Sequence, residues 1–193
     1  MRIAFLRHGP TEWNALGRVQ GHTDIPLSEE GLKKMRGLRP PFPASRVFVS
    51  PLMRARQTAE ALGLENPVFD ARLMEQNWGR WEGLSPAEIV AREGKDAFLR
   101  AGLAAAFHPP GGESTGDLLA RVASFLREAA MEDSDAIAVA HLGVLRATYT
   151  LATGWNMATP MPKDLDASKA LVLEVDAWGQ PTLHALNVEL VAV

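Results

Sequence analysis

Three short apolar runs, each closing on a polar residue and followed by a helix start, constrain this chain most. Ile3-Ala4-Phe5-Leu6 closes on Arg7-His8-Gly9-Pro10, Arg46-Val47-Phe48-Val49 on Ser50-Pro51, and Asp135-Ala136-Ile137-Ala138-Val139-Ala140 on His141. Runs this short and uniformly apolar read as strands buried on both faces. Thr11 ahead of Glu12-Trp13-Asn14, and Ser28 ahead of Glu29-Glu30, are candidate helix caps with an acidic residue at the positive end of the dipole. Leu32, Met35 and Leu38 then follow the helical period. Ser50-Pro51 reads as a cap with proline in the first turn, opening a helix through Leu52, Ala55, Ala59 and Leu62 that ends near Gly63. Residues 114–131 carry Leu118, Leu119, Val122, Phe125 and Leu126 at helical spacing, and a helix from Leu142 to Leu151 is stopped by Gly154.

The alternation of strand and helix predicts an α/β fold, a three-layer α/β/α sandwich around a mostly parallel central sheet. Val68-Phe69 adds a short strand. Residues 170–175 and 182–186, separated by Trp178-Gly179-Gln180-Pro181, read as a terminal hairpin. Residues 84–112, with helical pieces around 86–93 and 95–107, read as a small helical cap insertion. No internal repeat, linker or low-complexity stretch divides the chain, so residues 1–193 are expected to form one domain.

Composition removes several function classes. The chain has no cysteine, which excludes disulfides, zinc–thiolate sites, iron–sulfur clusters and cysteine nucleophiles. A net charge of −3 with dispersed basic residues leaves no electrostatic footprint for nucleic acid. No apolar run approaches the length of a membrane span. The opening Met1-Arg2-Ile3-Ala4-Phe5-Leu6-Arg7 is charged too early for a signal peptide, so the expectation is a cytoplasmic protein without nucleic-acid or membrane partners.

Ligands of open α/β sheets bind at the carboxyl ends of the strands. Arg7 and His8 follow the first strand, Arg54 lies one turn past the second, and His141 follows the strand at 136–140. In a parallel arrangement two histidines and two arginines gather at one sheet edge, beside helix N-termini that favour an anion. Guanidinium groups fork onto phosphate oxygens and stay charged. Neighbouring arginines lower the proton affinity of an imidazole, which keeps it neutral and nucleophilic toward phosphorus. Phosphoryl transfer depends mainly on such positioning and charge stabilisation.

Six ordered blocks also carry a family resemblance. They are Leu6-Arg7-His8-Gly9 with Thr11, Trp13 and Asn14; Gly21-His22-Thr23-Asp24-Ile25-Pro26-Leu27-Ser28-Glu29-Glu30-Gly31; Ser50-Pro51-Leu52-Met53-Arg54-Ala55-Arg56-Gln57-Thr58-Ala59; Glu75-Gln76-Asn77-Trp78-Gly79-Arg80-Trp81-Glu82-Gly83; Gly111-Gly112-Glu113-Ser114; and Ala140-His141-Leu142-Gly143-Val144. Together they resemble the histidine phosphatase superfamily, the phosphoglycerate mutase-like proteins. The resemblance implies that His8 is a nucleophile forming a phosphohistidine, that Arg7, Arg54 and His141 hold the phosphoryl oxygens, and that Glu75 is the general acid toward the leaving alcohol. It implies that Asn14 contacts phosphate and that Gln20 and Gly21 line the pocket. Leu142 stands where the family usually has glycine, which puts a backbone N–H at the pocket and a larger side chain at its wall. Trp78 stands where Phe or Leu is commoner.

Mutases of this family resemble longer chains with a basic, substrate-gripping stretch after the acid loop. Here that stretch reads Leu84-Ser85-Pro86-Ala87-Glu88-Ile89-Val90. The expectation is therefore a phosphatase, similar to the α-ribazole or broad-specificity phosphatases. Such an enzyme hydrolyses the phosphate ester of a small metabolite. Mutase-type transfer and a non-catalytic phosphate-binding module are the alternatives. The apolar cap residues Ile89, Val90, Phe98, Leu99, Leu103 and Phe107, with Trp13, Trp78 and Trp81, suggest an alcohol with an apolar or ring component. His22 and His108 lack partners at ligand spacing, and no Asp/His cluster offers a two-metal site, so neither metal nor organic cofactor is expected.

Overall fold

The computed structural model describes residues 1–97, 108–157 and 162–193. β1 (Arg2–Arg7) leads through α1 (Glu12–Ala15) and α2 (Glu29–Arg36) to β2 (Leu38–Arg39) and β3 (Arg46–Val49). α3 (Met53–Ala61) and β4 (Val68–Phe69) follow, then two short 3-10 turns, Ala71–Leu73 and Gly79–Trp81, around the loop that carries Glu75. α4 (Pro86–Glu93), α5 (Thr115–Ala129), β5 (Ala136–Ala140) and α6 (Leu142–Thr153) come next. The chain closes with β6 (Ala170–Val175), β7 (Pro181–Val188) and β8 (Val191–Ala192).

The main sheet has the order β4-β3-β5-β1-β6-β7. β5 pairs in parallel with β1, from Ile3 opposite Ala136 to Arg7 opposite Ala140, and with β3 on its other side. β4 is parallel to β3, while β6 and β7 run antiparallel as the expected hairpin beside β1. β2 and β8 form a separate two-residue ribbon too short to register as a pattern in the sequence.

Two apolar layers flank the sheet, and strand pleating assigns residues to them. Ile3 and Phe5 pack with α5 and α6, whereas Ala4 and Leu6 pack toward α2 and α3. Every residue of β5 is buried. Its alanines, 136, 138 and 140, face α5 and α6, while Ile137 and Val139 face the opposite layer. Small residues on that face leave room for Phe125, whose ring meets Phe5 and Phe48 edge-on at centroid distances of 6.3 and 5.2 Å.

The helix starts follow cap chemistry, with one correction. Thr11, Ser85 and Ser114 each form a capping box with the residue three positions on, and the Ser28 hydroxyl accepts from Gly31 N–H. Ser50 does not cap α3. That helix begins at Met53, with Leu52 at the cap position and no side-chain cap. The Ser50 hydroxyl is 2.8 Å from His141 Nε2, a partner that only the sheet brings within reach. The first cap helix forms as α4, with Ile89 buried against Trp81 and Ala97. The second, 95–107, lies outside the described residues beyond Ala97, as do Phe98, Leu99, Leu103 and Phe107. Among the described residues no helix is long and apolar enough to cross a membrane.

Candidate active site

The carboxyl ends of β1, β3 and β5 meet at one edge. His8 N–H donates to Ala140 O at 3.0 Å, and Ser50 N–H donates to Val139 O at 3.0 Å, so the strand-end residues are pinned to β5. The Gly9 N–H donates to the Thr58 hydroxyl on α3, fixing the turn after His8. The His8 and His141 rings lie 5.1 Å apart and are 6% and 0% exposed.

The hydrogen-bond partner of His8 defines which of its ring nitrogens carries the proton. His8 Nδ1 lies 2.7 Å from the Gly9 carbonyl, which can only accept, so Nδ1 carries the proton and the Nε2 lone pair is free. Burial, then Arg7, then Arg54 lower the His8 pKa from 6.5 to about 3, against the opposing Gly9 bond. His141 is lowered well below the ordinary value, by burial first and then by His8 and nearby arginines. Both rings are neutral at neutral pH. The Ser50 hydroxyl accepts from Leu52 N–H and lies 2.8 Å from His141 Nε2, while His141 Nδ1 is buried with no hydrogen-bond partner.

Arg54 is completely buried. Its Nη1 and Nη2 donate to Thr23 O and Gly21 O, at 3.0 and 2.7 Å, so it holds the loop that contains Gly21. Gly21 has φ +55°, and a Cβ there would lie 2.0 Å from Glu82 Oε1, so glycine is required on both counts. The Nε groups of Arg7 and Arg54 are buried with no acceptor. Burial depresses the pKa of each, and Glu75 opposes that shift.

Glu75 Oε1 accepts from Gln76 N–H and Gly143 N–H, both at 2.9 Å. Among the described residues no hydrogen bond reaches Oε2. A Cβ at Gly143 would sit 2.2 Å from Glu75 Oε1, so a side chain there would push the carboxyl out of its present place. Leu142 is half-buried and packs on the core beside α5 and α6. Asn14 spends its Oδ1 on Thr11 N–H and lines a cavity with Arg7 and His8. Gln20 Oε1 is buried without a donor. Trp81 is buried and Trp78 stacks on it at 6.0 Å, so both rings are engaged in packing.

The sequence profile of the histidine phosphatase superfamily (branch 1) matches residues 3–189. The chain belongs to this superfamily. It is 34% identical over 165 residues to the glucosyl-3-phosphoglycerate phosphatase of Mycobacterium tuberculosis, covering 76% of this chain and 72% of that one. It is 30% identical over 158 residues to a 2,3-bisphosphoglycerate-dependent phosphoglycerate mutase of Gloeobacter violaceus, covering 75% and 72%. A mycobacterial glucosyl-3-phosphoglycerate phosphatase structure, in complex with VO3, superposes with a TM-score of 0.81 at 28% identity, covering 97% of this chain and 99% of that one. The fold expectation is met, and the phosphatase relatives support phosphoester hydrolysis.

For a histidine phosphatase superfamily member, several residues of the site were silent in the sequence. Glu82 receives the N–H groups of His22, Thr23 and Trp78 and so ties the 21–23 loop to the acid loop. Arg146 on α6 has a buried Nε without an acceptor, a guanidinium over the Trp155 ring, and Glu75 as its charged neighbour. Glu82 stands in the block at 75–83 but its role comes from the 21–23 loop some 60 residues away, and Arg146 has no spacing signal. Among the described residues, no group of three or more His, Asp or Glu side chains could hold a metal ion.

The buried histidines make folding pH-dependent in this superfamily member. Between pH 6.5 and 3 the unfolded chain binds a proton at His8 that the folded chain rejects, so stability falls as pH falls through that window. At pH 4.5 the expected cost from His8 is about 3 kcal/mol, with His141 adding in the same direction. Urea denaturation from pH 7.5 to 4.5 should show this slope, and His8→Gln should flatten it. An unchanged slope in the variant contradicts a neutral, buried His8.

Proposed function

We propose that this chain is a metal-independent phosphomonoesterase that acts on a small phosphorylated metabolite through a phosphohistidine at His8 Nε2. One observation carries the reading: a neutral imidazole with a free lone pair has Arg7, Arg54 and His141 as neighbours, and each of these keeps a buried nitrogen without a partner, Arg7 Nε, Arg54 Nε and His141 Nδ1. Unsatisfied buried polar groups cost about 1–3 kcal/mol each, and a phosphoryl group offers the acceptors that the guanidiniums lack. In this reading Nε2 attacks phosphorus, the P–O bond to the alcohol breaks, and Glu75 protonates the departing oxygen. Water then attacks the phosphohistidine, Glu75 takes its proton, and inorganic phosphate leaves with His8 restored. Asn14, Gln20, Gly21 and the backbone at Leu142 complete the substrate surround.

The engagement of Trp78 and Trp81 in packing weakens the case for an aromatic alcohol, and the Arg146 guanidinium, whose Nε is buried without an acceptor, favours a substrate with a second anionic group. Hydrolysis is favoured over mutase transfer because residues 84–97 lack a basic block. Incubation with a radiolabelled phosphomonoester and acid-sensitive trapping tests the proposal. An acid-labile, base-stable phosphoenzyme, release of inorganic phosphate, and full activity in a chelator are expected. Hydrolysis without any phosphoenzyme, or activity abolished by the chelator, overturns it.

A further inference from the structure

The loop that presents Glu75 has little regular structure of its own, yet its backbone is held from both sides. The Glu75 carbonyl accepts from Arg121 Nη2 at 3.0 Å and from His22 Nε2 at 2.8 Å; the carbonyl can only accept, so His22 Nε2 carries a proton. Arg121 reaches the loop a second time, donating through Nη1 to Arg72 O at 2.6 Å. Its guanidinium is oriented by Glu113, with Nε on Oε1 at 2.9 Å and Nη2 on Oε2 at 3.3 Å. Glu113 also grips the loop directly: Oε2 accepts from Asn77 N–H, its carbonyl accepts from Gln76 Nε2, and its N–H donates to Asn77 O. His22 Nε2 lies 3.8 Å from Glu113 Oε2.

These groups are mostly shielded, with the Arg121 and Glu113 side chains 19% and 17% exposed, so the ion pair is stronger than a surface one. The bracket is also tight. A Cβ on Gly112 would lie 2.3 Å from Asn77 O, and one on Gly79 would lie 2.4 Å from Pro110 O. Residues 72–77 are thus clamped against 110–113 and the start of α5, and the carboxyl at the centre of that span is Glu75.

We infer that Glu113, acting through Arg121, is a positioning residue for Glu75, setting where the acid meets the leaving-group oxygen; the inference rests on the reading of Glu75 as the general acid. Neither side chain needs to touch substrate. An acid displaced by about an ångström loses proton transfer but leaves nucleophilic attack intact, so the defect must scale with how much the leaving group needs a proton.

The test is kcat/KM for wild type, Glu113→Gln, Arg121→Lys and Glu75→Gln across dinitrophenyl, nitrophenyl, phenyl and ethyl phosphates. Glu113→Gln and Arg121→Lys should stay within about 3-fold of wild type on the dinitrophenyl ester, which needs no acid, and lose about 10- to 100-fold on the ethyl ester. Glu75→Gln should show the same trend more deeply, and Glu75→Gln/Glu113→Gln should lose no more than Glu75→Gln alone. A uniform loss on all four esters, no loss on any, or additive losses in the double variant overturn the positioning role. A flat profile for Glu75→Gln itself overturns the acid assignment, and the inference with it, whatever the Glu113 variant does.

Discussion

His8→Ala should lower kcat for nitrophenyl phosphate by at least about 10³-fold, with no phosphoenzyme trapped. The basis is the state of the ring. Its Nδ1 is committed to the Gly9 carbonyl, burial and two guanidiniums keep it unprotonated, and only Nε2 has a lone pair to offer. A water in the cavity left by the ring lacks that orientation. The same substitution removes a buried group held beside positive charge, so the variant should remain folded and should still bind inorganic phosphate at Arg7, Arg54 and His141. Steady-state kinetics and phosphate titration by calorimetry read the two parts separately. Wild-type turnover in the variant refutes nucleophilic catalysis, and loss of phosphate binding together with activity points to collapse of the site instead.

Arg54→Met should be costly in two independent ways. The guanidinium is the candidate phosphoryl ligand best fixed in place, so kcat/KM should fall by about 10²–10³-fold, the scale of losing one preorganised donor at a site of developing charge. It also leaves the Gly21 and Thr23 carbonyls without a donor, at about 1–3 kcal/mol each when they stay dry. The 21–23 loop carries His22 to the Glu75 carbonyl, so slack there reaches the acid as well. Removing the positive charge raises the His8 proton affinity, and the acid limb of the pH–rate profile should move upward from its low position. Arg54→Lys keeps the charge but not the two-pronged grip, and should recover the pH profile without recovering the rate. Kinetics within about 3-fold of wild type for the methionine variant refute the assignment.

Much of this molecule is written locally. The apolar runs at 3–6, 46–49 and 136–140 become parallel strands because the helices that follow them return the chain across the sheet and cover both faces. Thr11, Ser28, Ser85 and Ser114 start helices because each side-chain oxygen satisfies an N–H only three residues away. Arg7, His8, Arg54 and His141 could be placed at one edge for the same reason: each lies just beyond a strand, and strand direction fixes where a strand end points. Ser50 has the local pattern of a cap but hydrogen-bonds His141, 91 residues away, instead. Leu142 drew attention as the departure from the family pattern, yet it is Gly143 that admits the Glu75 carboxyl.

The layers, the mostly parallel sheet, the candidate phosphate ligands and the family resemblance are legible along the chain, because periodicity, capping and strand polarity act over a few residues. Which buried nitrogens lack partners, which nitrogen of His8 is free, and the convergence of Glu113, Arg121, His22 and Glu82 on the loop of Glu75 emerge only when the segments pack. Those are properties of distance and solvent exclusion between segments 60 residues apart in the His22–Glu82 contact and 91 in the His141–Ser50 contact, and no local pattern in the chain encodes them.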